Sequence, residues 1–326
     1  MRHARDDGNI KNRKSHLWQR IHELVDDIQP NKNMVPENKV CKTKIISKAQ
    51  MMKKIAAITM ARNDEFFLSR WVDYYGRELG IGNLYIILDG TDQDAPKNAH
   101  GANIIKLPHT DMSRAAGDKY RIGKISDLAK DLFKKYDIVI GCDSDEFLIV
   151  DPNTKKSLSE YLSGAKYKTT VSGLGLDIGQ NMNNEKKLDT KKPMLAQRRY
   201  ALLSTRYTKP VVLFRPARWG SGFHSVHNAN FHIDKNLYLL HFGAVDMEML
   251  IQKAKKRGPD WVNHLRRRGN GTINLVTKRR AHGERYIKIA RIIQRIFRPI
   301  YAMDKPGMFG IKWVVKTPTR FKKTGV

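Results

Sequence analysis

Residues Ile138-Val139-Ile140-Gly141-Cys142-Asp143-Ser144-Asp145-Glu146-Phe147-Leu148 decide how this chain is read. A short apolar run ends abruptly in a cluster of acids. Ile138-Val139-Ile140 has the length and β-branching of a buried strand. Such a strand cannot carry unpartnered carboxylates in its interior. Asp143, Asp145 and Glu146 therefore belong at its C-terminal end, and in an open α/β sheet that edge is where ligands bind. Clustered carboxylate oxygens suit a hard divalent cation, Mn²⁺ or Mg²⁺, which can in turn hold a diphosphate. In isolation Asp-Ser-Asp also fits a turn or a helix N-cap, so the flanking sequence has to decide.

Upstream, strand and helix patterns alternate. Asp118 to Lys135 reads as a helix with Leu128, Leu132 and Phe133 inward, and Ile104 to Leu107 as a short strand. Leu84 to Leu88 is a second strand, ending in the carboxylate-rich turn Asp89-Gly90-Thr91-Asp92. Ile55 to Met60 opens the series. Asn63 or Asp64 is placed to cap the next helix, since a side-chain oxygen there satisfies a free backbone N–H. Phe67, Trp71, Tyr74 and Tyr75 fall on one helical face and read as core, and Gly80 closes that helix. Alternation of this kind implies right-handed crossovers and a mostly parallel sheet.

Four segments in this order resemble the N-terminal half of a GT-A glycosyltransferase of the family 2-like kind found in bacterial polysaccharide clusters. They are Ala61-Arg62-Asn63-Asp64-Glu65, Trp71-Val72-Asp73-Tyr74-Tyr75, Leu88-Asp89-Gly90-Thr91-Asp92 and Cys142-Asp143-Ser144-Asp145-Glu146-Phe147-Leu148. The resemblance covers about a third of the chain and implies a GT-A-type, Rossmann-like α/β fold, with a mixed, mostly parallel sheet flanked by helices. It implies Asn63, Glu65, Asp89 and Asp143 on the nucleotide side, and Asp143 and Asp145 on a metal. Asp89 also fits a plain β-turn, because Asp-Gly is a common turn pair.

The second half offers histidines and glycines. Thr169 to Leu174 reads as a strand, with Gly175 to Gly179 as its loop, and Asn181 to Lys192 as a polar excursion. Pro210 to Arg215 is a further strand. Trp219-Gly220-Ser221-Gly222-Phe223-His224-Ser225-Val226-His227 suggests backbone approaching a ligand. Leu237 to Leu240 is a strand ending in His241-Phe242-Gly243. In related GT-A enzymes a late histidine completes the metal or diphosphate shell, so the resemblance points to His241 and, as a further candidate, His224. Each of His224, His227 and His241 equally fits a structural histidine donating to a carbonyl. His100, His109 and His232 read as surface residues. An inverting transfer needs a base, for which Asp177 and Glu146 are the candidates. The Glu-Asp pair expected later in such chains has no clear equivalent.

Composition sets the boundaries. The chain has 326 residues and a formal net charge of +29, from 61 Lys and Arg against 32 Asp and Glu. That excess favours polyanionic partners: nucleic acid, anionic lipid or phosphorylated substrates. No zinc spacing or aromatic-basic RNA-recognition motif is present, so no specific nucleic acid is expected. Cys41 and Cys142 lie in dissimilar contexts and do not suggest a structural disulfide. No apolar run reaches the ~20 residues that span a bilayer, and no apolar segment follows the N-terminus as in a secretory signal. The expected location is cytoplasmic, with a peripheral position on the inner face of the plasma membrane. Residues 1-50 form a basic arm and linker, with Leu17, Ile21, Leu24, Val25 and Ile28 at helical spacing. Residues 51-257 form the GT-A-like catalytic domain, and 258-326 a basic helical extension. Within that extension Tyr286, Ile289, Ile293, Ile296 and Ile300 share a face among basic residues, the pattern of a helix that lies on anionic membrane or packs on the domain.

The expectation is a metal-dependent glycosyltransferase. It would move a sugar from a nucleotide-diphosphate donor to a glycan or lipid-linked acceptor, in the assembly of a cell-surface polysaccharide or other glycoconjugate. The alternatives are a nucleic-acid-binding protein, on charge, and a nucleotidyltransferase, which also places acids at a strand end.

Overall fold

Burial of both faces forces the centre of the sheet. In this computed structural model, which describes residues 52–229, 232–256, 259–301 and 312–326, β1 (Ile55–Ala61) is buried at every position. A strand covered on both sides belongs in a parallel sheet between helical layers. α1 (Glu65–Leu79) follows, then β2 (Leu84–Asp89), β3 (Asn103–Leu107), α2 (Arg114–Leu132) and β4 (Ile138–Gly141). β1 pairs in parallel with β2 on one side and with β4 on the other, and β2 pairs in parallel with β3. The spatial order β3-β2-β1-β4 reverses direction at β1/β4, so the crevice beyond the C-terminal ends of β1 and β4 is the topological switch point of a Rossmann-like sheet.

The chain then adds an antiparallel wing. Its elements are β5 (Glu146–Val150), α3 (Leu158–Ser163), β6 (Thr170–Gly179), α4 (Met194–Gln197), β7 (Tyr200–Leu203), β8 (Val212–Leu213) and β9 (His232–Ala244). β8 runs antiparallel to β4 and β6, extending the sheet toward β7. β9 lies parallel to β6 and antiparallel to β5. Two sequence expectations change here. β6 continues through Gly179 with all its residues buried, so Asp177 stands in a strand and not in a loop. His241 likewise lies inside β9, not at a strand end. Each extra stretch finds backbone partners on both sides, which an isolated periodicity does not reveal.

The aromatic face of α1 braces the acid turn. Tyr74 Oη donates to the Leu148 carbonyl (2.7 Å), and Leu148 N–H donates to Tyr75 Oη (2.9 Å). Trp71 Nε1 lies 3.3 Å from the sulfur of Cys142, a buried free thiol. Phe147 meets Tyr74 and Phe242 edge-on at 5.7 and 5.5 Å. Across β4, a Cβ on Gly141 would come within 2.7 Å of Trp219 Cη2, so glycine is required there for the indole to close over the strand. At the start of α1, Asp64 occupies the N-cap without a side-chain cap bond. Its carboxylate is engaged elsewhere.

Residues Met51–Val326 form one compact unit. Its C-terminal part comprises α5 (Met247–Lys256), α6 (Pro259–Lys278), α7 (Glu284–Tyr301) and the edge strand β10 (Val314–Lys316), which pairs with β7. α7 buries Ile287, Ala290, Ile293, Arg291 and Gln294, while Ile296 points to solvent. The expected single apolar face is therefore divided between the core and water. The arm at 1-50, with its Leu17 to Ile28 pattern and Cys41, lies outside the described residues, as does the side chain of Ile300. The C-terminus is clasped by Arg320, which donates to Asp151 Oδ1 and Oδ2 and to Glu284 Oε1 and Oε2 at 2.7–2.8 Å.

Candidate functional site

The carboxylates after β4 meet cations from α2, β9 and α5 and from the segment before β8. Asp143 Oδ1 pairs with the Arg121 guanidinium on α2, and Asp143 Oδ2 lies 3.2 Å from Lys209 Nζ. Arg121 is itself held by Asp118 at 2.9 Å. Lys209 sits just before β8, 4% exposed, with its ammonium 2.5 Å from Oε1 of the fully buried Glu146. Burial pushes the Asp143 carboxyl up, but Arg121 and Lys209 outweigh it and hold it well below the usual carboxylate range. Burial wins for Glu146 and raises it, with Lys209 pulling the other way.

Asp145 belongs to a second group. Its Oδ2 lies 3.7 Å from His241 Nε2 and 3.7 Å from Lys253 Nζ on α5. Lys253 also reaches Asp64 Oδ2 (3.1 Å), which accepts from Ser144 Oγ (2.9 Å). The loop after β1 is thereby tied to the Asp143-Ser144-Asp145 turn. Burial raises the Asp145 carboxyl, but His241 and Lys253 bring it below its ordinary value.

Three adjacent strands fix His241. In register, His241 of β9 faces Glu146 of β5 on one side and Asp177 of β6 on the other. Its Nδ1 lies 2.7 Å from Asp177 Oδ1, and Asp177 Oδ2 accepts from Thr272 Oγ1 of α6 (2.6 Å). Tyr207 stacks on the imidazole, with ring centroids 3.7 Å apart and planes 14° apart. An Nδ1–H held by a carboxylate leaves Nε2 as the lone-pair nitrogen, directed toward Asp145. Burial lowers the imidazole pKa, yet Asp145 and Asp177 together raise it above its ordinary value.

These contacts test the residues against a divalent cation. Among the described residues no group of three or more His, Cys, Asp or Glu side chains is arranged to enclose a metal. Asp145 and His241 nevertheless fit as a pair. Ligands bound at about 2.1 Å stand about 3 Å apart when adjacent on an octahedral ion, close to the observed 3.7 Å. The carboxylate behind His241 is the usual support of a metal-binding imidazole. Asp143 does not fit as it stands, because Arg121 and Lys209 occupy both its oxygens. Charge points the same way. Among the described residues, the ion pairs of Asp64, Asp118, Asp143, Asp145, Glu146 and Asp177 are with Arg121, Lys209, Lys253 and His241. The balance stays negative even with Glu146 neutral and His241 protonated, which a bound cation would offset.

Two of the remaining sequence candidates, Asn63 and Asp89, stand at or just after the C-terminal ends of β1 and β2. Asn63 adopts φ 49° after β1, and its N–H donates to Gln93 Oε1 (2.8 Å). Asp89 ends β2, 3.0 Å from His109 Nδ1, and its carbonyl accepts from Gln93 Nε2 (2.8 Å). Glu65 is exposed in the first turn of α1. His224 follows a short turn (Ser221–Phe223), and Phe223 packs beneath Arg121 and Lys209 at 5.4 and 5.9 Å. Both carboxylates considered as bases are already engaged: Glu146 is sealed against Lys209, and Asp177 against His241 and Thr272. Sequence reasoning passed over Arg121, Lys209, Lys253, Tyr207 and Thr272. Only Lys209 carried a signal, as a lone ammonium leading into the apolar run Pro210-Val211-Val212-Leu213.

No family model matches the sequence, and no curated protein is similar to it. Among the solved structures that the chain resembles in part are two mannosyltransferases and a synthetase. The mannosyltransferase Ktr4p from S. cerevisiae is 11% identical with a TM-score of 0.25, over 51% of this chain and 50% of that one. The chain thus spans about half the length of the yeast enzyme. The mannosyltransferase PcManGT from Pyrobaculum calidifontis, solved with GDP-Man and Mn²⁺, is 9% identical with a TM-score of 0.38, over 88% and 79% of the two chains. CMP:2-keto-3-deoxy-manno-octonic acid synthetase, solved with CTP, is 13% identical with a TM-score of 0.28, over 67% and 86%.

Proposed function

We propose that the protein is a glycosyltransferase that takes a nucleotide-diphosphate sugar and delivers the sugar to a glycan or lipid-linked acceptor, in the making of a cell-surface polysaccharide or other glycoconjugate. The observation that carries this is the gathering of Asp145, His241, Asp143 and their cations at the switch point of the parallel sheet, where nucleotide ligands of such sheets lie. Asp145 and His241 would hold a divalent cation, Mn²⁺ or Mg²⁺, which when bound supplies charge neutralisation for a departing nucleoside diphosphate. Asp177, seconded by Thr272, orients His241. Glu146 anchors the buried Lys209, and Asp143 holds both Lys209 and the partly exposed Arg121, whose guanidinium would meet a phosphate group. Asn63 after β1, Glu65 in the first turn of α1 and Asp89 at the end of β2 would contact the nucleoside. His224, next to Phe223, would be a further contact to the diphosphate.

Calorimetry tests this directly. UDP, GDP and CMP are titrated with and without Mn²⁺, beside the Asp145→Ala variant. The proposal expects one diphosphate to bind in a Mn²⁺-dependent manner, with the effect lost in the variant. A folded protein that binds none of them is not a nucleotide-sugar enzyme of this kind.

A further inference from the structure

The outward side of α7 is not explained by packing. Inward, Ile287, Ala290 and Gln294 are buried, Arg291 donates to the Asp234 carbonyl (2.9 Å), and its guanidinium lies 4.4 Å from the Tyr238 ring. At 3.6 residues per turn, Ile292 points about 160° away from Gln294. Ile292 is 48% exposed and Ile296, one turn on, is 59% exposed. Lys288 and Arg295 stand beside them, both exposed, and Arg295 Nε also donates to the Ile233 carbonyl (2.9 Å). Lys278, Arg279 and Arg280, exposed at the end of α6, continue the basic character. The acid of this helix, Glu284, is taken by Arg320. From residue 251 to the C-terminus the chain carries 21 Lys and Arg against 3 Asp and Glu.

We infer that this face of α7 docks the protein on an anionic lipid surface, with Ile292 and Ile296 entering the headgroup layer and Lys288 and Arg295 meeting lipid phosphates. Aliphatic side chains set among cations gain from a lipid interface. They gain little from a nucleic acid, whose apolar contacts are made by stacking on aromatic rings. Each cation at such a surface strengthens binding about fivefold, so the contact is reversible. Thr208 Oγ1 donates to Gln294 Oε1 on the inner side of the same helix (2.5 Å), and Thr208 lies between Tyr207 and Lys209. The docking helix is thus braced on the segment that shapes the candidate site. Docking itself is independent of the donor reading; only a lipid-borne acceptor rests on that reading.

The test is cosedimentation of the full chain with vesicles of phosphatidylcholine alone and of equal parts phosphatidylcholine and phosphatidylglycerol. Ile292→Ser/Ile296→Ser and Lys288→Ser/Arg295→Ser variants are run beside the wild type. Thermal unfolding and nucleotide calorimetry check that the variants fold, and calorimetry judges the donor reading separately. Docking predicts at least tenfold tighter binding to the anionic vesicles, and at least a fivefold loss in each double variant. Equal binding to both lipids, no binding, or an isoleucine variant with full affinity overturns it. Duplex DNA bound more tightly than the vesicles, with no effect of the isoleucines, would overturn it in favour of a nucleic-acid surface.

Discussion

His241 and Asp177 stand side by side on two neighbouring parallel strands, with Nδ1 and Oδ1 2.7 Å apart. The contact fixes both the ring plane and the tautomer, and Thr272 fixes the carboxylate in turn. Loss of such a partner typically lowers metal affinity 10- to 100-fold. Asp177→Asn is therefore expected to weaken Mn²⁺-dependent nucleotide binding at least about tenfold while the protein stays folded. Thr272→Val should produce a smaller loss in the same direction. Calorimetry on both variants measures it. Unchanged Mn²⁺ dependence in Asp177→Asn would remove the orienting role.

Glu146 and Lys209 make a pair of another kind, 0% and 4% exposed. Removing one member of a buried ion pair costs about 3–5 kcal/mol. Lys209→Met should fall near the low end, about 3 kcal/mol, because the stranded Glu146 can take up a proton. Adding Glu146→Gln should recover part of that loss, since no buried charge is then left behind. Urea unfolding of the two single variants and the double variant gives the coupling directly.

The parallel half of the fold is legible because both its signals are local. Ile55 to Met60, Leu84 to Leu88 and Ile138 to Ile140 are continuous apolar runs, and Phe67, Trp71, Tyr74 and Tyr75 keep helical spacing. The acids after β4 declare themselves by ending such a run. The antiparallel wing is less legible. Glu146 to Val150 follows the acids so closely that no turn signal marks a new strand, and Asp177 interrupts a glycine-rich stretch that reads as a loop. What makes β6 a strand is its neighbours, β7 and β9, which are distant in sequence. The partners of the acids are the least legible of all. Arg121, Lys209 and Lys253 are three among 61 basic residues, and only the fold selects them.

The clasp at the C-terminus should set part of the acid sensitivity. Burial raises the Asp151 carboxyl, but its bonds to Arg320 bring it below the ordinary value. Arg320 likewise lowers Glu284. Carboxylates depressed in the folded state stabilise it above their unfolded pKa values, about 4. That contribution is lost as pH falls from there through the lower folded values. Arg320→Met should remove stability at pH 7 and flatten its dependence on pH below about 5. Thermal unfolding from pH 7 to pH 3 checks this. Parallel curves for wild type and variant would show that the clasp does not titrate with folding.

Gly175 lies under the turn that brings Tyr207 and Lys209 to the site. A Cβ there would stand 2.3 Å from the Tyr207 carbonyl carbon and 2.4 Å from Ser204 O and Thr208 N. These atoms are backbone and cannot rotate away. The turn must move, carrying the ring stacked on His241 and the ammonium paired with Glu146. Overpacking of this kind costs about 1–3 kcal/mol, so Gly175→Ala should lower stability by that amount and weaken nucleotide binding with it. Gly271, inside α6, has nothing within 4 Å of its Cβ position. Gly271→Ala should stabilise the protein by about 0.5–1 kcal/mol, because alanine loses less backbone entropy in a helix. The pair separates crowding from glycine content. Equal effects of the two substitutions on urea unfolding would mean that the turn yields freely and does not set the positions of Tyr207 and Lys209.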